Sequence, residues 1–585
     1  MKCCIFQAKI GTHLAHLRIP LSLGRLVHGA FCNSSIFSNI RGLMETVKGT
    51  SSDGTASLEA NGNPESGSGD ATAIAADNVL VEGSAKIVFT GPSSAFYNPV
   101  QEFNRDLTIT VLQQFSEDYR KSFERGKTDD DNDEPLAKKA KQIQLEEDGA
   151  IRILDALSAS GLRAIRFAKE VPHISKVLAN DFSEQAVETI KKNIIVNEVQ
   201  HIVESRFGDA VSAMMEHRSL DKRFHAIDLD PYGSASIFLD SAVQAVADRG
   251  ILMVTCTDMA VLCGNTPEAC YNKYGSVALR HKCCHEFAIR VLLKSIDSHA
   301  NRYARYIEPL LSISVDFYVR VFVRIHTGAK QAKDCVTKVS YVLACTGCHS
   351  LQLQPLARKT TAAASVKFTP SVLNASILGA GGKCIYCDQS IHIAGPIYSD
   401  PIHDLAFVRK LIESKCDFRL KACPENKRLR THDRLIGVLS VVSEILANAM
   451  LAACFSSGVT KRLLRELDMI PVSYGKCDFR LKACPENKKL RTHDRLIGVL
   501  SVVSEELPDV PLYYEHDQLM HIVKSPVPRV LNIRSAILNA GFRCSIAHCN
   551  PRALKTDAPM SLLWDIARTV LVQQKEEEAF EPVYW

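Results

Sequence analysis

Asp230-Pro231-Tyr232-Gly233 closes the apolar run Phe224–Leu229. A carboxylate, a proline and an aromatic in that order suit methyl transfer to an exocyclic amino group. Such an amine is a weak nucleophile because its lone pair is delocalised into the ring. A carboxylate and a backbone carbonyl accepting its two N–H bonds would hold it and localise that lone pair. The tyrosine ring would stack on a base turned out of its helix. The same four residues are also ordinary turn formers, so their weight depends on what precedes them.

Three further acidic residues fall where strands should end. Asp155-Ala156-Leu157-Ser158-Ala159-Ser160-Gly161 links a short apolar run to a helical pattern. Its small residues let backbone approach a ligand, and a helix N-terminus favours a carboxylate group. Asp181 follows the next apolar run and could take both hydroxyls of a ribose. Asp209, before Ala210, could accept from an adenine amino group. Taken one at a time, each acid reads more readily as a loop or cap residue. Taken in order, they imply S-adenosylmethionine.

The elements that must position these groups alternate. Ile151–Ala156, Lys176–Asn180, Val203–Phe207, Phe224–Leu229 and Gly250–Thr257 read as strands. Leu162–Lys169, Ser183–Asn193 (Ser183 as N-cap) and Ser234–Ala247 read as helices. Buried strands separated by helices imply a parallel, doubly wound sheet. Helix-like Ser276–Ala304 follows. Val315 to Ile325 then alternates apolar with polar Asp316, Tyr318, Arg320 and Arg324, the period of a half-buried antiparallel edge strand. The fold class is α/β, a class I (Rossmann-like) methyltransferase domain with a smaller α/β C-terminal domain.

The motifs together resemble the tRNA (guanine-26-N2)-dimethyltransferase family. The matching stretches are Phe96-Tyr97-Asn98-Pro99 with VQEFNRDL after it, LDALSASGLRAIRFA from Leu154, ANDFS from Ala179 and IDLDPYG from Ile227. TCTDMAVL from Thr255, GPIYSDPIHD from Gly395 and KTDAP from Lys555 complete them. The resemblance implies methylation of guanine N2 in tRNA with S-adenosylmethionine. It places Arg105 and Arg163 at the methionine end of the cofactor, beside the Asp155, Ser158 and Gly161 turn. Asp181, Asp209 and Ala210 would hold ribose and adenine, and Phe96, Asp230 and Tyr232 would line the guanine site. Two rival readings stay open: a methyltransferase for another exocyclic amine, and a tRNA-binding or chaperone protein that has lost catalysis.

Cys345-x-x-Cys348 and Cys384-x-x-Cys387 suit a closed tetrahedral zinc site, a feature the family often has. Four buried thiols is the alternative. The remaining cysteines, out of 20 in 585 residues, read as reduced thiols in a chain without a secretory signal. Toward the C-terminus Arg543, His548, Arg552 and Lys555 stand near Thr556-Asp557. Basic and aromatic groups interleave there, and the family's second domain grips tRNA. Arg543, Lys555, Thr556 and Asp557 are therefore the expected tRNA contacts. The formal net charge is only +5, so RNA binding must come from local faces.

The expected organisation begins with 1–44, which lacks Asp and Glu but carries Lys2, Lys9, Arg18, Arg25 and Arg41, the composition of a mitochondrial transit peptide. Met44 could start a second form for the nucleus or cytoplasm. Residues 45–80 read as a disordered linker, and 81–330 as the catalytic domain with a charged insertion at 126–149. A zinc-bearing connection at 331–405, a near-duplicate at 406–475, a tRNA-binding domain at 476–575 and a tail at 576–585 follow. The duplicate is literal: Lys415–Glu444 and Lys476–Glu505 differ only at Arg428 against Lys489. The second copy runs on into the family pattern and is expected to dock in the C-terminal domain. No apolar run reaches the ~20 residues of a membrane span, and no obligate protein partner is implied.

Overall fold

The computed structural model describes residues 79–89, 97–128, 150–362, 365–373, 376–415 and 491–579. Phe96, the expected transit peptide, most of the charged insertion and the first repeat copy lie outside these residues. A small hairpin, β1 (Val79–Glu82) and β2 (Ala85–Val88), precedes the helix Glu102–Thr128. Asn98 caps the 3₁₀ turn before that helix, accepting from the Val100 amide at 3.0 Å, and Pro99 opens the turn with its fixed φ. The helix runs on to Thr128, through the first residues of the expected insertion.

The central sheet holds β3 (Ile151–Asp155), β4 (Ile174–Asp181), β5 (Val203–Phe207), β6 (Phe224–Leu229), β7 (Val246–Cys256), β8 (Arg305–Val315) and β9 (Tyr318–Thr327). Their order is β5-β4-β3-β6-β7-β9-β8. The first five are parallel and β9 joins β7 antiparallel. The order reverses beside β3, so the C-terminal ends of β3, β4 and β6 open onto one crevice, where ligands of such sheets bind.

Both sheet faces are covered. One buries Leu154, Ile227 and Leu252 against the helices Leu239–Ala245 and Cys284–Asn301. The other buries Ile153, Ala226 and Phe322 against Phe103, Leu107 and Ile165. This corrects the half-buried edge strand. The alternating segment is β9 with the turn before it, Asp316-Phe317, which joins β9 to β8 as a hairpin, and the side chains of Tyr318 and Arg320 are fully buried. The apolar run from Gly250 also divides: the strand ends at Cys256 and Met259–Leu262 is a helical turn.

The rest completes three smaller sheets and a third core. β10 (Val339–Cys345) lies between β11 (Leu351–Pro355) and β14 (Ile391–Tyr398), and β12 (Ala357–Ala362) pairs with β13 (Ser365–Pro370). β17 (Asn550–Thr556) lies between β15 (Tyr514–Glu515) and β16 (Cys544–Ala547). Leu519, Ile533, Leu554 and Trp564 share a core with Cys345, Cys348 and Cys384.

The boundary expected at 476 lies outside the described residues; the described part of the second repeat copy begins at Arg491. Its helix His493–Glu505 buries Leu496, Leu500 and Val503 in the same core as Phe407 and Leu411 of the helix Leu405–Lys415, on a face of the catalytic sheet. Thr492 donates to Asp106 Oδ2 at 2.6 Å. This helix therefore packs on the catalytic core.

Candidate active site

The turn after β3 is shaped by backbone. Ser158 N–H donates to the Asn180 carbonyl at 2.9 Å, and Ala156 N–H to that of Asp228 at 3.1 Å. Gly161 starts the next helix with φ of 81°, a left-handed conformation that favours glycine. Asp155 accepts from the Ser158 hydroxyl at 2.7 Å. Burial, followed by the nearby Asp228 carboxylate, pushes its carboxyl up to about 7.

Asp181 ends β4. Its two oxygens accept from the amides of Ala159 and Ser183, each at 2.9 Å. Asp209 caps the helix Ala210–Glu216, accepting from the Ser212 amide at 2.8 Å. Phe182 and Phe207 stand beside these acids with their rings exposed, 74% and 56%. The sequence reading missed both, and an aromatic at or just past a strand end was their only signal.

Asp230 sits just past β6 with its side chain 19% exposed, and Arg163 Nη2 bonds its Oδ2. Arg163 Nη1 reaches Asp228 Oδ2 at 3.3 Å, and Arg320 Nη2 holds Asp228 Oδ1 at 2.6 Å. Burial alone would raise the Asp230 carboxyl. Arg163, Arg320 and the Thr255 hydroxyl more than offset it and hold the carboxyl below the usual aspartate value. Thr257 pins the next turn: its Oγ1 accepts from Gly233 N–H at 2.8 Å and its amide donates to the Gly233 carbonyl at 2.9 Å. Tyr232 is left 89% exposed. Asp228, Arg320, Thr255 and Thr257 were not singled out from sequence as site residues.

Arg105 is already engaged inside the chain. Its Nε donates to Glu82 Oε1 at 2.6 Å and Nη2 to the Asn98 carbonyl at 3.1 Å. Its guanidinium lies 5.1 Å from the Tyr97 ring centroid.

The four predicted cysteines meet. The Sγ atoms of Cys345, Cys348, Cys384 and Cys387 all lie within 4.8 Å of one another. The closest pairs, Cys345–Cys387 at 3.3 Å and Cys348–Cys384 at 3.6 Å, are far too long for a disulfide. The amides of Gly347 and Cys348 point at Cys345 Sγ, at 3.4 and 3.5 Å. A Cβ on Gly347 would meet Gln389 Cγ at 2.5 Å and Cys387 Sγ at 3.2 Å, so the knuckle requires glycine. Thiolates bound to one zinc at about 2.3 Å sit about 3.8 Å apart, and this donor set fits that ion.

A family profile described as N2,N2-dimethylguanosine tRNA methyltransferase matches residues 75–463 and 477–568. The chain belongs to this family. It is 54% identical over 492 residues to the tRNA (guanine(26)-N(2))-dimethyltransferase of Caenorhabditis elegans, covering 84% of this chain and 80% of that one. The mitochondrial tRNA (guanine(26)-N(2))-dimethyltransferase of Saccharomyces cerevisiae is 31% identical over 534 residues, covering 86% and 81%. The structure of Trm1 from Pyrococcus horikoshii with S-adenosyl-L-methionine superimposes with a TM-score of 0.55 at 26% identity, covering 83% and 99%.

For this family member the predicted tRNA contacts need correction. Lys555 is buried, its Nζ 2.6 Å from Glu506 Oε1 and 3.0 Å from Glu286 Oε2. Glu506 Oε2 accepts from His548 Nδ1 at 2.7 Å. A buried ammonium between two carboxylates cannot reach an RNA backbone; it ties β17 to the helix Cys284–Asn301. The three donors His403, Glu506 and His548 also cluster, but Lys555 supplies the cation there. Thr556 is buried and donates to the Arg543 carbonyl at 2.6 Å. Arg543 is half-exposed between Asp557 and Asp509, at 2.7 Å from each.

Proposed function

We propose that this chain methylates the N2 amino group of guanine 26 in tRNA, and that the crevice along β3, β4 and β6 is where it does so. When bound, S-adenosylmethionine supplies an activated methyl on its sulfonium. Asp155, Ser158, Gly161 and Arg163 would border its methionine end, which Arg105 could join only by leaving Glu82. Asp181, Asp209 and Ala210 would hold ribose and adenine, flanked by Phe182 and Phe207. Carboxylate acceptors at successive strand ends fit the hydroxyls and amine of such a ligand.

One observation carries the reading. An ionised, partly exposed carboxylate, Asp230, stands next to an aromatic ring, Tyr232, that nothing among the described residues covers. A base turned out of the tRNA can stack on that ring while Asp230 accepts from its amino group. Holding the amine in line is the protein's main contribution, and no covalent enzyme adduct is needed. Phe96 would complete the guanine site. Arg543 can still face RNA, whereas Lys555 cannot.

Calorimetry with the cofactor and a methylation assay separate the roles. Asp230→Ala should lose turnover by about 100-fold or more with cofactor affinity intact. Asp181→Ala should weaken cofactor binding first. Normal turnover by Asp230→Ala would sink the assignment.

The four cysteines would hold one structural zinc, with no position left open for chemistry. Purified protein should contain about one zinc per chain. Cys384→Ser should lower the melting temperature more than the activity per folded molecule. Active protein that is free of zinc by metal analysis contradicts this.

A further inference from the structure

Behind Asp230 lies a buried threonine whose hydrogen bonds leave it one option. Thr255, near the end of β7, is fully buried. Its Oγ1 accepts from Arg320 Nη1 at 2.8 Å and from Asn104 Nδ2 at 3.4 Å. A hydroxyl has two acceptor sites and one proton. Both acceptor sites are taken, so only the proton remains to be given, and the neighbouring carboxylate is that of Asp230, the next residue after the Leu229–Val254 pair of β6 and β7.

The two donors are fixed in turn. Arg320 reaches in from β9 and also binds Asp228 Oδ1 at 2.6 Å and Thr108 Oγ1 at 3.0 Å. Asn104 is anchored by a bond to Gln101 Oε1 at 2.8 Å. Thr108 repeats the logic one turn along the helix: it donates to the Asn104 carbonyl at 2.7 Å and accepts from Arg320 and from Arg163, the latter at 3.4 Å. Helix Glu102–Thr128, β6, β7 and β9 thus converge on the neighbouring carboxylates Asp228 and Asp230.

We propose that Thr255 is a positioning residue for the methyl transfer, a donor fixed by Arg320 and Asn104 that orients Asp230 and keeps it an acceptor. The inference rests on the reading of Asp230 given above. An acceptor is what an amino group needs. A protonated or rotated Asp230 would offer a donor, or nothing, to the base.

The test compares Thr255→Val, which removes the hydroxyl, with Thr255→Ser, which keeps it, and uses Asp230→Asn as a control. Thr255→Val should lower kcat about 10-fold, the scale of a lost bond to a charged group. Its acid limb of kcat should move to higher pH, since an unsupported Asp230 is easier to protonate. Cofactor affinity, read by calorimetry, should stay within about twofold, and Thr255→Ser should recover most of the loss. Wild-type kcat and pH profile for Thr255→Val would overturn the proposal. So would equal losses in both variants with weakened cofactor binding, which marks a packing role. If Asp230→Asn is inactive while Thr255→Val is normal, only this inference fails. If Asp230→Asn is normal, the reading of Asp230 fails with it.

Discussion

Asp155, buried, and Asp230, partly exposed, flank the buried Asp228 and are driven in opposite directions. Asp155 has a hydroxyl for a partner and like charges nearby, so burial wins and its carboxyl rises to about 7. Asp230 has Arg163, Arg320 and Thr255, and they win over burial. The difference predicts a pH effect. A raised carboxyl stabilises the fold fully below the ordinary aspartate value, and that contribution is lost as pH rises toward 7. Asp155→Asn stays neutral throughout. Its melting temperature relative to the parent should climb from pH 4 to about 7 and then level. A difference independent of pH would show that Asp155 is not the buried acid described.

At this scale legibility depended on whether a residue's partners lie nearby in sequence. Asp155, Asp181, Asp209 and Asp230 end apolar runs, a local pattern that can be read directly. Arg320 cannot be read that way. It occupies the polar phase of a period-two strand, which usually means solvent, and only the helix Glu102–Thr128 over that face makes it interior. Lys555 misled for the same reason. A lysine beside Thr556-Asp557 looks like an RNA contact until Glu286 and Glu506, far away in sequence, are brought against it.

Elements were legible where periodicity is strong. The five parallel strands fall within a few residues of the expected spans. The β8–β9 hairpin was not foreseen, because a two-residue turn at the start of an alternating run carries little signal of its own. The link between elements is where stability concentrates. Lys555 joins β17 to the helix Cys284–Asn301, while Arg290 holds Glu286 Oε1 at 2.9 Å and the Tyr398 carbonyl at 2.9 Å. Lys555→Met leaves two carboxylates buried without their shared cation. It should cost about 3–5 kcal/mol, seen as a large fall in melting temperature. A fall of a degree or two would show that water replaces the ammonium there.

For the molecule as a whole, the sheet order and the crevice it opens agree with the α/β reading, and no helix among the described residues is long and apolar enough to cross a membrane. The helix His493–Glu505 is placed by Leu496, Leu500 and Val503 on the catalytic core, where sequence order alone suggested the C-terminal module. The literal repeat recurs in the comparison, since the family profile matches 75–463 through the first copy and 477–568 through the second.

The central claim is that the Asp230 crevice places methyl groups on guanine N2 in tRNA. Incubating the full chain with unmethylated tRNA and S-adenosylmethionine, then digesting the tRNA for nucleoside mass spectrometry, tests it most directly. The account predicts N2-methylguanosine and N2,N2-dimethylguanosine mapping to position 26, absent when a tRNA lacking that guanine is used. Bound cofactor with no N2-methylated guanosine in the tRNA, or methylation confined to another base, would contradict it.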